Sequence, residues 1–227
     1  MDIKHLFFDL DHTLWDFEKN SALTFQKIFE IHEIKIKIDV FLEKYIPLNI
    51  QFWKMYREET ITKEELRYQR LKAAFDAINY KISDKVINRL ADDYINYLST
   101  FPHVFEGTFE ILDYLKSKYQ LHIITNGFQE IQHKKMRISK LLPYFKEIIT
   151  SESVGLKKPN PKVFEYALLV SKAKKYESIM IGDSIEADIE GAINFGIKAI
   201  HCNLDNQLVK EEGFSSINHL LELKNHL

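Results

Sequence analysis

At 227 residues the chain is long for one small domain and short for two full-sized ones, so a core domain carrying an insertion is expected. Hydrophobic residues at 45% and charged residues at 28% exclude a disordered or membrane-embedded chain. Lysine and arginine (31) nearly cancel aspartate and glutamate (33), so no global field draws in a nucleic-acid polymer or an anionic membrane, and any anion must be bound locally.

Residues 3–9 (IKHLFFD) form a short apolar run that ends abruptly in acidic and turn-forming residues, as a buried strand of a parallel sheet does. Asp9 cuts this run too early for a signal peptide or a membrane span, and a cytoplasmic protein is expected. From Asp16 to about Ser99 apolar residues recur at helical spacing (Ala22, Phe25, Phe29; Val86, Leu90, Tyr94, Leu98), which reads as an all-helical insertion. Thr62 with Glu65 predicts a capping box, Ser83 a further cap, and Pro47 a break between two helices. Pro102 and Gly107 mark the return to the sheet domain, with Thr108 as the cap of the next helix.

Short apolar runs then recur at Leu121–Ile124, Glu147–Ile149, Ile179–Ile181 and Lys198–His201, and the first three lead into polar loops followed by helix-periodic sequence. This alternation predicts an α/β fold with a doubly wound parallel sheet, in which loops at the strand C-termini converge on one crevice. Ser216 is expected to cap a last helix. The lone cysteine, Cys202, excludes an intramolecular disulfide, fits a reducing compartment and reads as a small apolar residue beside a strand.

Four loops carry candidate chemistry. Asp9 and Asp11, separated by one residue at a strand tip, suit a hard cation and offer a carboxylate nucleophile for phosphorus, although Asp-x-Asp-x-Thr alone is also a turn motif. Thr125 and Asn126 place a hydroxyl and backbone amides where phosphate oxygens can bind, against the plain reading of Asn-Gly as a turn. Lys158, fixed by Pro159 and Pro161, offers an ammonium against developing phosphate charge, with Lys157 facing solvent. Gly182-Asp183-Ser184-Ile185-Glu186-Ala187-Asp188 supplies Asp183 as a metal ligand with Asp188 behind it, against a bland capping pair of Asp183 and Glu186. Each motif is weak alone; their joint occurrence on one side of a parallel sheet is the strong signal.

With those motifs in view, the chain resembles a phosphatase of the haloacid dehalogenase (HAD) superfamily over essentially its whole length: DLDHT, Thr125 in IITNG, Lys158 before Pro159, and GDSIEAD match its four motifs. The resemblance implies a Rossmann-like HAD core over residues 1–15 and 100–227 and a helical C1-type cap over 16–99. It implies Mg2+ as cofactor, Asp9 as nucleophile and metal ligand, and Asp11 as general acid/base that also gives its backbone carbonyl to the metal. Asp183 is then the side-chain metal ligand, Asp188 lies behind it, and Thr125, Asn126 and Lys158 bind the phosphoryl group.

Segments such as IITNGF with a glutamine soon after (Gln129 or Gln132) and SESVGLKKPN are similar to the pyrimidine 5′-nucleotidase branch, which implies a nucleotide as the small-molecule phosphate ester. Glu106-Gly107 departs from that branch's usual Pro-Gly at a turn. Trp15, Phe17 and Phe128 are expected to flank the core–cap cleft and stack on a base, or else to pack. The alternatives are a phosphatase for phosphoglycolate or sugar phosphates, a phosphomutase, a 2-haloacid dehalogenase, which Asp11 argues against, and a noncatalytic binding protein.

Overall fold

Four consecutive buried side chains, His5 to Phe8, make up β1, the central strand of the computed structural model, which describes residues 2–205 and 213–227. Burial on both faces explains the unbroken apolar run. In chain order there follow α1 (Phe17–Ile31), α2 (Ile38–Arg57), α3 (Lys63–Ala77), α4 (Asp84–Leu98), α5 (Thr108–Lys116), β2 (Gln120–Thr125), α6 (Gln129–Ile138), β3 (Glu147–Thr150) and α7 (Ser151–Val154). The chain continues through α8 (Pro161–Ser171), β4 (Ser178–Gly182), a π-helical turn (Ile185–Glu190), α9 (Gly191–Phe195), β5 (Lys198–Cys202), β6 (Ser215–Ile217) and a 3₁₀ helix (Leu220–Asn225).

The six strands form one parallel sheet in the order β3-β2-β1-β4-β5-β6. β1 has β2 on one side and β4 on the other, so the connections diverge there and open a crevice beyond its C-terminal end. Phe7, Ile124, Ile149 and Met180 from the sheet pack with Val163, Phe164 and Ala167 of α8, and each such fully buried large side chain stabilises the fold by about 1.5–3 kcal/mol.

The chain divides into two compact units, Met1–Phe17 with Pro102–Leu227 and Glu18–Phe101, against the boundaries of 15/16 and 99/100 read from the sequence. The second unit is helical. Its core is aromatic: Phe25 lies against Phe29, Phe41, Tyr45 and Tyr94, and Phe41 against Phe75. Buried Arg70 of α3 donates to Asn49 Oδ1 of α2 at 2.9 Å.

Several local expectations need correction. Pro47 lies inside α2 and does not separate two helices, because Phe41, Tyr45 and Asn49 are buried on either side of it and hold the helix continuous. Thr62 and Glu65 do form the capping box, at 3.1 and 2.7 Å, whereas Ser83 occupies the N-cap of α4 without a side-chain hydrogen bond. Thr108 is the first residue of α5; the cap position is Gly107, at φ 78°. Ser216 belongs to β6, and the closing 3₁₀ helix is capped by His219, whose Nδ1 accepts from Leu221 N. Cys202 is buried in β5.

Candidate active site

Asp9 leaves the tip of β1 with its amide donating to Ile181 O at 2.8 Å, Thr125 ends β2, and Asp183 follows Gly182 at the end of β4. These three strands are neighbours in the sheet, so residues far apart in sequence meet at one rim. Lys158 reaches the rim from the loop before α8: its Nζ lies 2.6 Å from Asp9 Oδ1, 2.6 Å from Ile124 O and 2.6 Å from Asp188 Oδ1. An ammonium has three hydrogens, and three acceptors surround this one.

One carboxylate oxygen from each of Asp9, Asp183 and Asp188 falls within 4.8 Å of the others. Burial pushes the Asp9 carboxyl well above the usual carboxylate range; Lys158 opposes the shift, while Asp188 and Asp183 add to it. Asp183 retains some open surface, yet burial and then the Asp188 charge push it up to about 8 against the pull of Lys158. For Lys158 burial works the other way, but the Asp188 and Asp9 charges outweigh it and raise its pKa above the ordinary lysine value. With all three carboxylates ionised, as a bound cation would favour, they would exceed the one ammonium by two negative charges, in an all-oxygen donor set. That combination fits magnesium, a hard divalent cation held by few carboxylates.

The local backbone explains why these side chains are available. Ser184, not Asp183, caps the π-helical turn, its Oγ accepting from Ala187 N at 3.2 Å, so Asp183 is left to face the cluster. Asp188 Oδ2 accepts from Ser184 N at 3.1 Å. A Cβ on Gly182 would lie 2.3 Å from that same oxygen, so only glycine lets Asp188 stand there. His201 of β5 donates from Nε2 to the Asp183 carbonyl at 3.0 Å, since a carbonyl only accepts, and Thr13 Oγ1 donates to Asp183 Oδ1 at 3.3 Å.

A second network surrounds Asp11. Lys135 Nζ lies 2.6 Å from its Oδ1, and Gln132 Nε2 donates to its Oδ2 at 2.9 Å. The same Gln132 nitrogen donates to Thr125 Oγ1 at 2.8 Å, and Gly127 N donates there at 3.1 Å. With both lone pairs of the hydroxyl accepting, Thr125 keeps its hydrogen to donate, which suits a phosphate oxygen.

The structure thus brings together Asp9, Lys158, Asp183 and Asp188 in one cluster, and Asp11 and Thr125 in an adjoining network. Asn126 is placed differently. Its Nδ2 donates to Lys158 O at 3.0 Å and its Oδ1 accepts from Lys158 N at 2.8 Å, so the side chain clamps the Lys158 loop and only its backbone is left for an anion. Of the two readings of the aromatic residues, burial favours packing: Trp15 is fully buried with Lys135 Nζ 4.3 Å from its ring centroid, and Phe17 and Phe128 are buried. Sequence reading missed Lys135 and His201. A lysine three residues after Gln132 on the otherwise buried face of α6 was the available signal for the first.

This parallel sheet, with carboxylates and a lysine gathered at the β1 switch point, has a family behind it: the family described as haloacid dehalogenase-like hydrolase matches residues 6–202, and the chain belongs to it. Pyrimidine 5′-nucleotidase PynA of Streptococcus pneumoniae is 33% identical over 205 residues, covering 89% of this chain and 85% of that protein. A glyceraldehyde 3-phosphate phosphatase of Methanothermobacter thermautotrophicus is 30% identical over 203 residues, covering 88% and 86%. Among solved structures, the HAD-hydrolase YfnB of Bacillus subtilis, described as bound to magnesium and as revealing interdomain movement, superposes with a TM-score of 0.88 at 28% identity, covering 100% of this chain and 99% of that one.

Proposed function

We propose that this protein is a magnesium-dependent phosphomonoesterase that passes through an aspartyl phosphate on Asp9, and that its substrates are nucleoside 5′-monophosphates, pyrimidine ones foremost. The observation that carries the reading is the buried cluster of Asp9, Asp183 and Asp188 around Lys158, with Asp11 and Thr125 alongside. Asp9 and Asp183 side chains and the Asp11 carbonyl would hold the metal, with Asp188 beside them. Bound there, magnesium would offset the repulsion between Asp9 and the phosphoryl group and stabilise the charge that develops on it.

The chain's own residues account for the remaining steps. Thr125 Oγ1 and the Asn126 backbone orient the phosphoryl oxygens, and Lys158 balances their charge. An Asp9 carboxylate oxygen attacks phosphorus in line, forming the new P–O bond as the ester P–O bond breaks. Asp11 gives its proton to the departing alkoxide oxygen. It then takes a proton from the water whose oxygen attacks phosphorus, the Asp9–phosphorus bond breaks, and free phosphate and the Asp9 carboxylate are restored.

The nucleotide assignment draws on the resemblance to PynA, and the glyceraldehyde 3-phosphate phosphatase likeness makes a small sugar phosphate the second reading. Both are tested by phosphate release from uridine 5′-monophosphate, adenosine 5′-monophosphate, phosphoglycolate and glyceraldehyde 3-phosphate, with and without a chelator. The expected result is chelator-sensitive release, fastest from the pyrimidine nucleotide, and a loss of at least about 10³-fold in Asp9→Asn. A fully active Asp9→Asn would overturn the covalent mechanism. Preference for the triose phosphate would move the protein to the second reading.

A further inference from the structure

Lys135 is a lysine that a helix of the core unit turns inward. It sits on α6 three residues from Gln132, so both side chains leave one face of the helix, and Ile131 and Met136 are buried with them. Its side chain is 3% exposed, and its Nζ stands 4.3 Å from the Trp15 ring centroid, 5.4 Å from that of Phe17 and 2.6 Å from Asp11 Oδ1. Burying an ammonium is unfavourable unless a charge and aromatic faces receive it, and here both do. Gln132 takes the other oxygen, and its nitrogen must point there because a carboxylate offers no hydrogen to accept. A Cβ on Gly127 would come within 2.3 Å of Gln132 Nε2, so the loop after β2 leaves room for this amide and little else.

A carboxylate whose two oxygens are gripped by separate donors cannot spin about its Cβ–Cγ bond. Only the remaining lone pairs of Asp11 are open to a reacting oxygen, and Lys135 and Gln132 decide where they point. We infer that Lys135 is a positioning residue that fixes the Asp11 carboxyl in the orientation needed for proton transfer to the leaving oxygen, an inference that rests on the phosphomonoesterase reading above. The proton that Asp11 delivers goes to the departing oxygen as the ester P–O bond breaks, and Lys135 itself exchanges none.

A lysine that merely props up the fold would, when removed, slow every substrate alike. One that aims the general acid matters most where the leaving group needs a proton. Lys135→Met keeps the stem over Trp15 and Phe17 and deletes the charge. With magnesium present, kcat/KM for an alkyl monophosphate is expected to fall by about 10²-fold, the low end of what general acid catalysis supplies, and for p-nitrophenyl phosphate by less than about 10-fold. Circular dichroism and a melting curve establish that the variant is folded. If it is not, Lys135→Gln carries the same comparison under the same criterion. Equal losses on the two esters, or no loss on either, with an active wild type overturn the role of Lys135 alone. A wild type that releases no phosphate from either ester overturns the phosphatase reading and this inference with it.

Discussion

His5 Nδ1 and His122 Nε2 face each other at 3.1 Å between β1 and β2, with ring centroids 5.3 Å apart, and Phe7 stacks on His122 at 4.9 Å. Both histidines are buried; the Glu177 charge acts on His5, whereas the charges that act on His122 are those of His5 and Lys146, which oppose its protonation. Burial lowers the His122 pKa to about 4, with the charges of His5 and Lys146 acting in the same direction. In the unfolded chain the group titrates near 6.5, so between about pH 6.5 and 4 the unfolded state binds more protons and gains on the folded one. Stability is therefore present above the unfolded value and lost as pH falls, by about 2–3 kcal/mol from this residue. Urea midpoints of the wild type and His122→Phe at about pH 7 and about pH 4.5 check this, the phenylalanine keeping the stack on Phe7. The wild type should lose more stability on acidification than the variant; parallel losses would assign the acid sensitivity to other groups.

The strand–turn–helix units that build the site differ in how openly the sequence declares them. β1, β2 and β4 are buried and parallel, so they read as continuous apolar runs, and their polar tips marked Asp9, Thr125 and Asp183. β6 is a three-residue edge strand with one buried apolar residue, Ile217, and left no such trace. The cap on the turn after β4 was also hidden, because Asp183 and Ser184 are both good capping residues and only the burial of Asp188 settles which one is used. Lys135 escaped for the opposite reason: a lysine on a helix usually marks the solvated face, and its partner Asp11 is far away in the chain. Gly182→Ala tests the β4 junction. Its Cβ would meet Asp188 within 2.3 Å, so Asp188 must shift away from Lys158, and phosphatase activity and magnesium affinity should both fall by at least about 10-fold while circular dichroism stays native. Unchanged magnesium titration would show that Asp188 has no part in holding the cluster. Thr62→Ala in the helical unit removes one half of a capping box, and a stability loss of about 1 kcal/mol is expected, read as a lower melting temperature.

At the scale of the whole chain, every candidate for the chemistry belongs to the unit formed by Met1–Phe17 and Pro102–Leu227. The change of texture near residues 16 and 99 was enough to find the helical insertion, because α1 and α4 carry clear helical periodicity and no strand-like run interrupts them. No substrate preference was legible in its sequence, since its aromatic residues mostly fill its own core. The two crossings into it run side by side within the first unit: Asp16 N donates to His103 O at 3.2 Å, Phe105 N donates to Leu14 O at 3.0 Å, and Trp15 bridges Val104. A short Gly/Ser linker from Phe17 to Pro102 can therefore close the core without stretching it, at a small cost in loop entropy. We expect this truncated core to fold, to bind magnesium, and to release phosphate from p-nitrophenyl phosphate, because Asp9, Asp11, Lys158 and Asp183 all remain. If the helical unit selects the ester, the truncated core should lose the preference among uridine monophosphate, phosphoglycolate and glyceraldehyde 3-phosphate. Ratios of kcat/KM across the three esters, compared with those of the full chain, decide the matter. Preserved ratios would put the selecting residues at the strand tips themselves, on the same loops that carry Asp9 and Asp183.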